Sequence, residues 1–384
     1  MKKIGIITII DYDNYGNRLQ NYATQEVLKS IGCETVTIVN SPYMKSRVFE
    51  LLFKVKKANP KQTIKYFILF LKIIRYRLFK SSKEKRYIKM NEERIKSFKQ
   101  FTHDNIIETD YVITQGNIPL NLGDKYDYFI VGSDQVWNPN FRGGSTIDFL
   151  TFAPINKRIA YSASFGISVL PEEYVESYKL LLSQMEYISV REKAGADIVR
   201  RLTERDVEVL VDPTLMIEKE KWLTIAKRSK HKPTNPYLLT YFLGDRSVEI
   251  NEFINRIKQE YKLEVIHMAD ISDTLRYATD PGEFLDYINT SKIFFTDSFH
   301  GAVFSILFEK PFIITDRVSK TPSMNSRIDT LLTKFQLEDR KWENIKGKDN
   351  VFDVDFSHIS QILEVERKKS LDYLRRALNI KGEI

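Results

Sequence analysis

The chain opens on Ile4-Gly5-Ile6-Ile7-Thr8-Ile9-Ile10, breaks at Asp11-Tyr12-Asp13-Asn14, and resumes as Tyr15-Gly16-Asn17-Arg18-Leu19-Gln20. A short apolar run closed by a polar loop reads as a strand buried on both faces, here over 4–10. Beyond the loop, Leu19, Tyr22, Ala23, Val27 and Leu28 recur at helical spacing. They predict a helix over 17–31, with Asn17 as its cap and Gly32 as its stop. A second strand is predicted over 35–39. Strand, loop, helix and strand in succession form the unit of a parallel sheet covered by helices, so the fold class is α/β. The basic-then-apolar start superficially looks like a signal peptide, but the charged break and the lack of a small-residue cleavage site favour the strand.

The same pattern continues outward. Strands are predicted over 126–131, 158–162, 187–190 and 208–211, with helices over 91–102, 171–185 and 192–202. A second α/β unit begins near 236, with strands over 237–242, 264–267, 293–296 and 311–314. An amphipathic helix over 359–378 closes the chain. The chain has 384 residues and suits two domains rather than one core. The expected division is a first Rossmann-like unit over 1–217 carrying a basic helical insertion at about 44–105, a polar linker over 218–235, a second Rossmann-like unit over 236–345, and a tail over 346–384. Two doubly wound units place a ligand in the cleft between them, at the carboxyl ends of their strands.

Composition narrows the function classes. Cys33 is the only cysteine, so no intramolecular disulfide can form, which fits a reducing, cytoplasmic setting. His103, His231, His267, His300 and His358 are scattered without metal-ligand spacing, so no metal is expected. No apolar stretch is long enough to span a membrane. The net charge of +8 is unevenly placed: residues 45–99 hold eighteen Lys/Arg against four Asp/Glu, leaving the remainder net acidic. In that stretch Phe67, Ile68, Leu69, Phe70, Leu71, Ile73 and Ile74 mix with Lys72, Arg75 and Arg77, which suits helices over 48–56 and 63–79. Such a segment either lies on an anionic membrane surface or is a buried helix with a solvated basic rim. Nucleic acid is not expected as a partner, since no binding motif accompanies the charge.

Four strand-to-helix turns could carry chemistry. In Ile293-Phe294-Phe295-Thr296-Asp297-Ser298-Phe299-His300-Gly301-Ala302, the strand end and helix start favour an anion, and His300 can move a proton near neutral pH. The alternative is that Asp297 or Ser298 caps the helix and His300 packs. In Ile188-Ser189-Val190-Arg191-Glu192, Arg191 could clamp a carboxylate or phosphate, or pair with an acid while Glu192 serves the helix dipole. In Val131-Gly132-Ser133-Asp134-Gln135-Val136-Trp137-Asn138, Gly132 allows a close backbone approach. Ser133, Asp134 and Gln135 offer hydrogen bonds to hydroxyls, and Trp137 either stacks on a sugar or joins the core. Asn14 to Gln20 could cradle an anion, although it lacks both dinucleotide and P-loop patterns. Two further stretches, Ser162 to Gly166 and Asp212-Pro213-Thr214, follow strands; the latter reads as a strand terminator.

Taken in order, these motifs, extended by Asn325-Ser326-Arg327, resemble the polysaccharide pyruvyl transferase family. The resemblance covers most of the chain outside the basic segment and the tail. It implies a fold similar to the two-domain, GT-B-like glycosyltransferases, with the last helix packing back on the first domain. It also implies phosphoenolpyruvate as donor, a sugar or lipid-linked saccharide as acceptor, and no cofactor or metal. His300 and Arg191 would carry the chemistry. Some members have an arginine two residues before the motif histidine; this chain has Ser298 there. Donor contacts are therefore expected from Ser298, Phe299, Gly301, Arg18 and Arg327, and acceptor contacts from Asn17, Ser133, Asp134, Gln135 and Trp137. The expected setting is the cytoplasm, with peripheral attachment at the inner face of the membrane. Two rivals use the same scaffold: a nucleotide-sugar glycosyltransferase, with Asp280-Pro281-Gly282-Glu283 near a ribose or as a helix cap, and a non-catalytic sugar-binding protein of envelope assembly.

Overall fold

A computed structural model describes residues 1–41, 82–317, 325–347 and 350–381. Among these, eleven strands form two sheets in which every strand pair is parallel. The first sheet holds β1 (Lys2–Ile7), β2 (Cys33–Asn40), β3 (Glu108–Ile113), β4 (Tyr128–Val131), β5 (Arg158–Ala163), β6 (Tyr187–Val190) and β7 (Glu208–Val209), in the order 3-2-1-4-5-6-7. The second holds β8 (Tyr237–Tyr241), β9 (Glu264–Met268), β10 (Ile293–Thr296) and β11 (Phe312–Ile314), in the order 11-10-8-9. The strand order reverses between β1 and β4 in one sheet and between β8 and β10 in the other. Those reversals open the crevices in which α/β sheets bind ligands.

The described helices are α1 (Tyr15–Ser30), α2 (Ser82–Asn105), α3 (Pro139–Arg142), α4 (Glu172–Ser183), α5 (Lys193–Thr203), α6 (Lys219–Ile225), α7 (Val248–Glu260), α8 (Pro281–Thr290), α9 (Phe299–Leu307), α10 (Ser326–Lys334), α11 (Trp342–Ile345) and α12 (Ile359–Ala377). Central strands such as β5, β8 and β10 are buried at every residue, which is why they read as continuous apolar runs rather than alternating ones. The strand β3 escapes the sequence reading. It is a half-exposed edge strand, Glu-Thr-Asp-Tyr-Val-Ile, with little apolar signal. The helices expected over 48–56 and 63–79 lie outside the described residues, and α2 begins before the predicted 91.

One apolar core joins the two sheets through α1, α6, α8 and α9. Tyr15 stacks on Phe284 at 4.1 Å and 6°, and Trp222, fully buried, packs between Tyr22 and Phe304. Such ring pairs contribute about 0.5–1.5 kcal/mol each beyond their burial. Trp222 belongs to α6, so the stretch 218–235 read as a polar linker contains a packed helix. Arg94 of α2 donates to the Tyr15 hydroxyl (2.9 Å) and the Tyr277 carbonyl (2.8 Å), tying the second unit to the start of α1. From the far end of the chain, α12 lies against the first sheet: the Tyr373 hydroxyl donates to the Ala160 carbonyl at 2.7 Å, and Arg367 donates to the Leu215 carbonyl at 2.8 Å.

Candidate functional site

The turn from β10 into α9 brings the two units together. Asp297 accepts from the Leu243 and Gly244 N–H groups (2.7 and 2.8 Å), tying down the loop after β8. Ser298 is the cap of α9, its oxygen accepting from the Gly301 N–H at 3.3 Å. A β-carbon on Gly301 would meet Thr296 Oγ1 at 2.8 Å, so this glycine serves helix-on-strand packing. His300, in the first helical turn, projects into the first unit and is 7% exposed. Its Nε2 lies 3.6 Å from Asp212 Oδ2. Its Nδ1 lies over Gly16, where an added β-carbon would sit 2.0 Å from that nitrogen. The helix α1 therefore packs against the histidine only because position 16 lacks a side chain.

Asp212 stands at the centre. Its Oδ2 accepts from Arg191 Nη1 (2.6 Å) and Ser133 Oγ (2.8 Å), and its Oδ1 from the Thr214 N–H and hydroxyl (3.0 and 2.7 Å). Burial pushes its carboxyl up, but His300, Arg191 and the Thr214 hydrogen bond outweigh burial and hold it far below the usual carboxylate range. Asp134 is the neighbouring acid, 3.9 Å from Arg191 Nη2 and accepting from Asn17 Nδ2 at 2.9 Å. Burial raises its pKa as well; Arg191 and then His300 oppose this, and the net shift is downward. Both acids are thus ionised beside the histidine at neutral pH.

Two arginines from different units flank one ring. The Arg191 guanidinium lies 4.4 Å from the Phe299 centroid and that of Arg327, from α10, 5.8 Å. Arg191 Nε and Nη2 and Arg327 Nε are buried without a hydrogen-bond partner among the described residues. Burial, and then the charge of Arg191, lowers Arg327 from 12.5 to about 9. Two desolvated, under-bonded cations this close create a demand for an anion. The cavity beside them, lined by Arg191, Asp212, Phe299, Arg327, Thr330 and Lys334, measures about 10 Å³. It holds about one water at most, so a larger ligand enters only if the units part.

Several expected contacts fall elsewhere. Helix α1 begins at Tyr15 with Asn14 as its cap, which frees the Asn17 side chain. That amide is saturated: it donates to the Ile9 carbonyl and Asp134, and accepts from the Asp11 N–H and Arg18. Arg18 is fully buried, paired with Glu108 at 2.7 Å and bonded to Asn17 and the Ile9 carbonyl, so each of its three nitrogens already has a partner within the chain. Ser133 is fully buried and serves Asp212. Gln135 accepts from Asn138 at 2.9 Å and braces the turn at Gly166. Trp137 is fully buried, stacks on Phe149 and donates to the Asp148 carbonyl at 2.9 Å; it is core and presents no face to a sugar. At Gly132 a β-carbon would come within 2.2 Å of the Tyr161 carbonyl, so the close approach there is to β5. Of the residues expected at the acceptor, Asp134 keeps 13% of its side chain exposed.

Sequence reasoning missed Asp212, which looked like a strand terminator, and misread Glu192. The Glu192 Oε1 accepts from Ser164 Oγ, Phe165 N and Gly166 N, stapling the loop after β5, while Oε2 has no hydrogen-bond partner. Asp280 and Glu283 form a reciprocal capping box on α8, occupying the side chains that a ribose would need. A cavity of about 1550 Å³ lies away from this chemistry, between the end of α1 and α12. Among the described residues no three His, Cys, Asp or Glu side chains group as a metal site, and no helix is long and apolar enough to cross a membrane.

Comparison with solved structures finds similarity to S. aureus MnaA in a co-structure with UDP (13% identity, 100% of this chain and 98% of that one, TM-score 0.46). The UDP-GlcNAc 2-epimerase of Methanocaldococcus jannaschii, in complex with UDP-GlcNAc and UDP, is similar over 94% of this chain and 99% of that one (13% identity, TM-score 0.45). Anabaena Alr3699/HepE, in complex with UDP and glucose, is similar over 98% and 100% (8% identity, TM-score 0.45). No curated protein sequence matches the chain significantly. The family described as polysaccharide pyruvyl transferase, a family of transferases, matches residues 14–317, from the cap of α1 past His300 to Arg317, and includes Arg191, Asp212 and Asp134. With a match over most of its length, this chain belongs to the polysaccharide pyruvyl transferase family.

Proposed function

We propose that the protein transfers a pyruvyl group from phosphoenolpyruvate to a sugar of a cell-surface polysaccharide or its precursor, forming a pyruvate ketal and releasing phosphate. One observation carries this reading: Arg191 and Arg327 meet across Phe299 with buried, unpartnered N–H groups, beside a histidine that can move a proton. Phosphoenolpyruvate supplies two anionic groups, a carboxylate and a phosphate, and so matches two guanidinium groups. His300 passes a proton from an acceptor hydroxyl to the methylene carbon as the hydroxyl oxygen bonds to the adjacent carbon. A second hydroxyl of the same sugar then displaces phosphate from that carbon, gives its proton to the departing phosphate, and closes the ketal. Asp134 holds the acceptor hydroxyls at the cleft. No cofactor or metal is needed for these steps. The acceptor is free or lipid-linked, and the reaction runs in the cytoplasm or at the inner membrane face.

Thermal unfolding with phosphoenolpyruvate, and separately with nucleotide sugars, tests the donor. A ligand at about 100 times its Kd stabilises the fold by about 2.7 kcal/mol. Stabilisation by phosphoenolpyruvate that disappears in Arg191→Ala supports the reading. Stabilisation by a nucleotide sugar alone replaces it with glycosyl transfer.

A further inference from the structure

We propose that Asp212 is the positioning residue of His300: its carboxylate fixes the imidazole so that Nε2 carries the proton and Nδ1 is the nitrogen that reacts. This rests on the reading of His300 as the proton-transfer group and adds to it a residue that the sequence presents as the end of a strand. The geometry pins the carboxylate first. One oxygen is held by the backbone and hydroxyl of Thr214, two residues on, so the acid cannot swing away. The other accepts from Arg191 Nη1 at 2.6 Å and Ser133 Oγ at 2.8 Å, and His300 Nε2 is turned towards it at 3.6 Å, beyond hydrogen-bond distance.

An ionised carboxylate only accepts, so the charge of Asp212, 3.6 Å away, favours a hydrogen on the ring nitrogen turned towards it. That assignment leaves Nδ1 with the lone pair of the neutral ring. The bare α-carbon of Gly16 packs against the Nδ1 edge of the ring, where a β-carbon would sit 2.0 Å from that nitrogen. The other charged groups by this pair are Asp134 after β4, which senses the charges of Arg191 and His300, and Arg191 after β6. Arg191, already bonded to Asp212, keeps that carboxylate ionised and in place. In the transfer itself, Nδ1 relays the hydroxyl proton to the methylene carbon, where the double-bond electron pair takes it up as the hydroxyl oxygen bonds to the adjacent carbon, and Nε2–H stays turned towards Asp212 throughout.

The test is nitrogen NMR of the full chain labelled in histidine, with the His300 signals identified by their loss in His300→Gln. In the free wild-type protein the neutral ring should show a single tautomer, protonated at Nε2. Asp212→Asn should give mixed tautomers, because an amide can donate as well as accept, and kcat should fall about 10²-fold or more with the donor KM little changed. Gly16→Ala displaces the ring while leaving the Arg191–Asp212 pair intact, and should also lose the single tautomer; it carries the test if Asp212→Asn does not fold. A wild-type ring protonated at Nδ1, or a single Nε2–H tautomer retained in both variants, overturns the proposal. The tautomer is read without substrate. The proposal therefore fails separately from the donor assignment, which fails if the wild-type protein releases no phosphate from phosphoenolpyruvate with any saccharide acceptor.

Discussion

Two buried polar clusters adjoin in this fold, with Asn17 bonded to Arg18 of one and Asp134 of the other, and they are bonded to different degrees. At the start of α1, Arg18 is matched: Glu108, Asn17 and the Ile9 carbonyl take its donors. At the junction of β6, α9 and α10, Arg191 and Arg327 are equally buried yet keep N–H groups without partners, and His300 Nε2 stands short of hydrogen-bond distance from Asp212. Both clusters cost desolvation. The first recovers it within the chain and so contributes structure. The second does not recover it among the described residues, which is the reason the proposed donor site is drawn there. Burial of an arginine therefore says little; what its N–H groups touch decides the role.

The sharpest way to break this comparison is at the histidine. His300→Ala should lower kcat by about 10²–10⁴-fold, the usual range for positioned proton transfer, with thermal stability nearly unchanged. A loss below about tenfold, well under that range, would place His300 among the packing residues.

The two arginines should then respond in opposite senses. Arg327→Met should raise the donor KM by about 10- to 100-fold, the value of one or two lost charge-assisted hydrogen bonds. Its stability in urea at pH 7 should match or exceed the wild type, since a cation disfavoured by burial is gone. Arg18→Met should do the reverse: about 1–3 kcal/mol of stability lost through unpaired Glu108 and Asn17, and an unchanged donor KM. If Arg18→Met weakens donor binding as much as Arg327→Met, the distinction collapses.

The smallest expected effect is on pH. Arg327 titrates at about 9 in the fold against an ordinary 12.5, so its charge costs stability below about pH 9 and that cost fades as pH rises. Donor affinity has the opposite sign: the donor KM should climb as pH passes through about 9, and Arg327→Met should lack that step. Initial rates between pH 7 and 10 at several donor concentrations would show it.

Much of the architecture was legible because it is written in local periodicity. Residues 187–190 and 293–296 read as strands and are strands, and Gly32 falls just beyond α1. The strand β3 was not legible, because an edge strand needs only half an apolar face. Among site residues, His300 and Arg191 were legible as strand-to-helix residues able to move a proton or clamp an anion. Trp137 was equally plausible as a sugar platform or as core, and the Asp148 carbonyl settles it as core. Asn17, Ser133 and Gln135 were chosen for their hydrogen-bonding groups, and tertiary contacts consume those groups inside the protein.

The sequence alone determined that this chain folds as two parallel α/β units and that His300 and Arg191 lie at strand ends, because apolar spacing and helix starts act over a few residues. Only the tertiary structure decided which polar side chains remain unspent. Asp212 meets His300 across 88 residues of chain, and Arg18 meets Glu108 across 90. Hydrogen-bond satisfaction is a property of such distant neighbours, and no local pattern records it.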